Sequence, residues 1–189
     1  RLTLELTANP IWYAVLALPT INTPQTDNVT EITASYYVST LATAIANANP
    51  QITNTIRQWM QKSDATLTSP LEKTPELKSI LLQLSPWVTE AQNETQQMHS
   101  LGELLDVNRQ NYISQQAIDK LAELQNEDGG WSWFKGFNSS TFMTENVLEA
   151  MARLVSLNVT SHPEKVKKMQ IKALQFLDKQ IQESYKHVK

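Results

Sequence analysis

Apolar residues recur at spacings of three and four along most of this chain, the period of a helix face turned to a core. Thr30 to Ala48 places Ile32, Tyr36, Tyr37, Leu41, Ala44, Ile45 and Ala48 in that pattern. Asn49-Pro50 reads as the start of the next helix, with Ile52, Ile56, Trp59 and Met60 inward, because Asn caps and Pro tolerates the first turn. Leu101, Leu104 and Leu105 return to the core before a helix over Gln110–Gln125 with Ile113, Ala117, Leu121 and Leu124 on its inner face. Thr141 to Leu157 repeats the pattern with Val147, Leu148, Met151, Leu154 and Val155. Pro163 opens a long last helix carrying Val166, Met169, Ala173, Leu174, Leu177, Ile181 and Tyr185.

Other stretches complete the outline. Leu2, Leu4 and Leu6 alternate with polar residues, a strand period. Asn9-Pro10 begins a helix, IWYAVLAL, that is apolar nearly all round and therefore buried. Pro19 to Val29 is a polar connection, and Ser63 to Thr74 is the best linker. Thr74-Pro75-Glu76 caps a helix bearing Leu77, Ile80, Leu81 and Leu84, which Pro86-Trp87 breaks; Ala91 to His99 reads as an exposed helix. The prediction is an all-α chain of about eight or nine helices in antiparallel pairs, stacked or curled into a partial α/α toroid. Residues 1–8 then form the end of a preceding β domain or a linker, and residues 9–189 the helical domain, cut short at its C-terminus.

Between two of these helices lies the most distinctive stretch, LAELQNEDGGWSWFKGFNSSTFMT, Leu121 to Thr144. Paired glycines after a helix supply left-handed backbone that ends it. In a short extended segment, Trp131 and Trp133 point to one side and Ser132 and Phe134 to the other. Such a rigid aromatic turn serves best as a wedge between helix layers, its rings filling the core; the rival is a sugar- or lipid-binding cleft. Asp128 is expected to accept backbone N–H bonds in the turn, as Asp before Gly does, with a general-acid role as the alternative.

Composition narrows the chemistry. The absence of cysteine excludes disulfides, thiolate metal sites and a Cys nucleophile. A net charge of −3 is too small for electrostatic capture of nucleic acid or an anionic membrane. Lys165, Lys167, Lys168 and Lys172 form a solvated face. His99, His162 and His187 are scattered and lack the close spacing of zinc ligands. No apolar run approaches the ~20 residues that span a bilayer. No glycine-rich phosphate loop or Ser/His/Asp set is present. The expectation is a non-enzymatic domain without cofactor or metal.

The run NPIWYAVLALP, followed by SYY and later by LQNEDGGWSWFKG and STFMT, resembles the thioester domain of large bacterial alpha-2-macroglobulins. That domain is an α/α toroid, and the likeness covers most of Ala8 to Asn158. Members typically carry CxEQT ahead of a YY pair. Counting back from Tyr36-Tyr37 without a gap, the thioester Cys falls on Asn28 and its bonding Gln on Glu31. Neither residue can form the internal thioester. The resemblance implies an exported, periplasmic or cell-envelope protein, lipid-anchored outside this chain, that traps proteases non-covalently with its other domains. Two other classes remain open: a toroid enzyme acting on glycans or prenyl substrates, and a scaffold binding another envelope protein. At the residues themselves, Asn28 and Glu31 are expected to hydrogen-bond locally, Asn28 with Val29 and Thr30 capping the following helix, with a direct ligand contact as the alternative.

Overall fold

Asn28 begins the helix that follows it because its side chain does what a free helix start requires: its Oδ1 accepts from Thr30 N at 2.8 Å. The helix, α1, runs Val29–Ala48. A single residue, Asn49, separates it from α2, Pro50–Gln61. The computed structural model describes residues 18–19, 21–61 and 99–188. The strand at Leu2–Leu6, the helix after Pro10, the linker, the helix after Pro75 and most of the exposed helix lie outside them, as do the side chains of Ile52, Ile56, Trp59, Met60 and His187. After a helical turn over residues 99–104, whose Leu101 and Leu104 are buried with Leu105, come α3, Val107–Leu124, α4, Thr141–Ser156, and α5, Pro163–Val188. The described chain is all-α. Its only β pairing is an isolated bridge between Trp131 and Ser140.

The chain divides into two compact units, one of Arg1–Pro19 with Ile45–Val107, the other of Thr20–Ala44 with Asn108–Lys189. The second unit contains the core described here: Val29, Ile32 and Tyr36 from α1, Ala117, Ile118, Leu121 and Leu124 from α3, Trp131 from the turn, Met143, Val147, Met151 and Leu154 from α4, and Val166, Met169 and Ala173 from α5. Apolar stripes at helical spacing meet, and that burial drives the packing.

Several inner faces differ from the periodic reading. α1 is buried on more than one side, since Ser35, Val38, Ser39, Thr40 and Ala42 are also inaccessible. The short polar residues fit there because they bond locally: Thr33 Oγ1 donates to Val29 O at 2.7 Å and Ser39 Oγ to Tyr36 O at 3.1 Å. Ile45 is exposed instead. α3 starts three residues earlier than expected and buries Gln110 and Ser114. Gln110 Oε1 accepts from the buried Asn22 Nδ2 at 2.8 Å, which removes the cost of enclosing two amides. On α5, Val166, Met169, Ala173 and Phe176 are the buried stripe, while Leu174, Ile181 and Tyr185 are exposed. At about 100° per residue these three fall on a neighbouring stripe. Val155 of α4 is exposed for the same reason.

The ends of α4 are well defined. Ser140 is its N-cap, accepting from Met143 N. At the other end Asn158 has φ 55°, with Asn158 N bonded to Val155 O and Val159 N to Leu154 O, the paired bonds of a Schellman ending. The connection to α5 is tied to α1: the buried Tyr36 donates its hydroxyl to Ser161 O at 2.6 Å, and Thr40 Oγ1 shares a hydrogen bond with Ser161 Oγ. Burial pushes the Tyr36 phenol up from its ordinary range, against its hydrogen-bonding with Ser161 and Thr40. Among the described residues no helix is long and apolar enough to cross a membrane.

Candidate functional site: the aromatic turn and the start of α1

The turn between α3 and α4 is fixed by side chains that bond its own backbone. Asn126 N donates to Gly130 O and Gly129 N to Asn126 O, both at 2.9 Å. Asp128 Oδ1 accepts from Gly130 N at 3.0 Å and from Ser139 Oγ at 2.6 Å. Its carboxylate is thereby occupied in holding the loop. Gln125 Nε2 donates to Gly129 O and to Met169 O, fastening the turn to α5. Gly129 has φ +92°, and a Cβ there would lie 2.3 Å from Lys172 O. Only glycine meets both conditions.

Trp131 is the residue of the turn that enters the core. It is fully buried, its indole Nε1 donates to Leu121 O at 2.8 Å, and its N–H bonds Thr144 Oγ1 at 2.9 Å. Trp133 and Phe134 do not follow it. They are 47% and 44% exposed, whereas Ser132 is buried. The alternation expected of an extended segment fails because the pairing is a single bridge at Trp131. The backbone then bends, with Ser132 Oγ donating to Phe134 O at 2.6 Å. Outside, Trp133 stacks on Phe142 of α4 with ring centroids 6.1 Å apart, and Phe134 lies 6.4 Å from Phe137. The outward rings of Phe137 and Phe142 were not singled out by the sequence pattern; their position beyond the glycine pair, in a stretch too short to bury four rings, is the signal that marks them.

The bend also brings the turn to the start of α1. Val29 N donates to Trp133 O at 3.2 Å. With Thr30 N on Asn28 Oδ1, this satisfies two of the orphan donors of the first turn. Glu31 faces back along the preceding loop. Its carboxylate accepts from Gln25 N at 2.7 Å, Thr26 N at 3.0 Å and Thr26 Oγ1 at 3.0 Å. The backbone bonds from Thr26 and Gln25 hold its carboxyl below the ordinary carboxylate range. Asn28 and Glu31 therefore sit together at one helix start, each bonded to nearby backbone.

The remaining polar groups around this region pair across the surface. Lys135 bonds Glu123, Lys120 lies 3.5 Å from Asp27, and Lys165 bonds Asp119. Hydrogen bonds from Lys165 and Gln115 hold the Asp119 carboxyl low. Lys167, Lys168 and Lys172 are exposed on α5. His99 and His162 are each half-buried. Among the described residues no three His, Asp or Glu side chains converge as metal ligands would. Comparison of the chain with family models, with curated proteins and with solved structures finds no match.

Proposed function

We propose that this chain works by shape, as the helical, thioester-less domain of an alpha-2-macroglobulin-like envelope protein that holds proteases without a covalent bond to them. In this reading the helices form part of an α/α toroid, and an exported, anchored full-length protein supplies the cleavable segment and the other domains. The reading starts from the two stretches of sequence likeness. The observation that supports it is that the aromatic turn meets the positions aligned with the thioester: the carbonyl of Trp133 accepts from Val29 N, between Asn28 and Glu31. Stretches distant in the chain share one small region.

Covalent capture needs a sulfur leaving group and an activated acyl carbon. Asn28 and Glu31 supply neither, and the chain has no cysteine. What this region can contribute is a packed unit that moves as a body when the protein is cut elsewhere. The test is to incubate the full-length protein with broad-specificity proteases. The expected result is cleavage at a discrete site, a change in hydrodynamic size, and retained activity on small but not large substrates, with no covalent adduct under denaturing conditions. Absence of cleavage and of protection would refute the proposal. Asp128→Ala separates it from an enzymatic reading, because loss of a glycan- or prenyl-directed activity in that variant is incompatible with a packing role.

A further inference from the structure

The outward aromatic tip has a property the trapping role does not use. Trp133, Phe134, Phe137 and Phe142 are 47%, 44%, 65% and 60% exposed, and they fall within ten consecutive residues. Between Trp131 and Thr144 the only charged side chain is Lys135, which Glu123 of α3 neutralises. The tip projects outward: a Cβ added at Gly136 would meet nothing within 4 Å.

Four backbone carbonyls of the tip already have donors. Trp131 O accepts from Ser140 N at 2.8 Å and Trp133 O from Val29 N at 3.2 Å. Phe134 O accepts from Ser132 Oγ at 2.6 Å and Phe137 O from Asn126 Nδ2 at 3.1 Å. An apolar phase tolerates only backbone whose polar groups are already bonded, and these four carbonyls meet that condition. Aromatic rings on such a turn are the side chains that favour the boundary between lipid headgroups and acyl chains. We propose that the Trp133–Phe142 tip is a lipid-surface contact, inserting its rings into the interfacial layer of a bilayer.

Other occupants fit less well. Four rings about half exposed offer roughly 400 Å² of aromatic surface, well below the ~800 Å² per partner of a stable dimer. A glycan or other small ligand is better served by a concave pocket with a few placed polar groups. The contact is apolar in origin, so it is compatible with the small net charge and predicts weak dependence on salt.

The experiment is co-sedimentation of the chain with phosphatidylcholine vesicles, alongside tryptophan quenching by lipids brominated high in the acyl chain. The expected result is salt-insensitive binding, quenching that is lost in Trp133→Phe while sedimentation is kept, and binding weakened at least roughly tenfold in F134S/F137S. Circular dichroism establishes that the double variant is folded; if it is not, Phe137→Ser alone, at the most exposed ring, carries the same comparison. No sedimentation, unchanged binding in the folded variant, or quenching that persists without Trp133 would overturn the assignment. So would a dimer that the Phe variants dissolve while the chain ignores lipid. None of these outcomes bears on protease trapping.

Discussion

Replacing Trp131 with Phe isolates the part of the turn that holds the second unit together. The indole is fully buried and donates to Leu121 O at 2.8 Å. That carbonyl also accepts the helical bond from Gln125 N at 3.1 Å, so losing the indole N–H does not strand it. The hydrogen-bond loss then costs about 1 kcal/mol rather than the larger penalty of an unsatisfied group. The smaller ring leaves a void of a few tens of Å³, adding roughly 1 kcal/mol at about 24 cal/mol per Å³. The lost apolar transfer raises the total to about 2–3 kcal/mol. Trp133→Ala, two residues away, removes a ring 47% exposed and one stacked contact, and should cost about 1 kcal/mol or less. Urea unfolding followed by circular dichroism measures both, and hydrogen exchange of the indole N–H groups separates them locally: Trp131 should be protected and Trp133 should not. A cost for Trp131→Phe below about 1 kcal/mol, or no greater than that of Trp133→Ala, would refute the placement of Trp131 as the core residue of the turn.

Gly129→Ala should lower the melting temperature well beyond Gly136→Ala, because both have positive φ but only the first would strike Lys172 O; the φ term alone is about 1–2 kcal/mol, which calorimetry resolves. Asn158→Ala should destabilise α4 by about 1 kcal/mol through the left-handed position at its end, with Asn158→Gly neutral or better in the same melt. The Glu31 carboxyl is held low in the folded chain. Its contribution is therefore present above the ordinary carboxylate range and is lost as pH falls through the lowered pKa. In Glu31→Gln that acid loss should disappear, read from the amide shifts of Gln25 and Thr26 across a pH titration; an unchanged titration in the variant would rule out the bonding seen at Glu31.

The helices were legible because their apolar spacing is regular. Met151, Leu154, Val166 and Met169 could be assigned inward from the pattern, and they are buried. Stretches with two overlapping stripes were not legible. Leu174 and Ile181 extend the α5 pattern as plausibly as Phe176, and only neighbours in space decide that Phe176 is the one enclosed. Gln110 and Asn22 are buried because each supplies the other's partner, a pairing that no local window contains. In the turn, Asp128 holds Gly130 N as its chemistry suggested. Alternation misplaced Trp133, since a one-residue bridge does not propagate the pleat of a strand.

The second unit is drawn from Thr20–Ala44 and Asn108–Lys189, and its stitches are long: Asn22 to Gln110 spans 88 positions and Tyr36 to Ser161 spans 125. The first turn of α1 likewise waits for the carbonyl of Trp133. A chain synthesised from its N-terminus thus carries α1 unfinished until the turn around Trp133 has been made, and long closures of this kind slow folding. Fragments ending before the turn should leave the Val29 amide open to exchange.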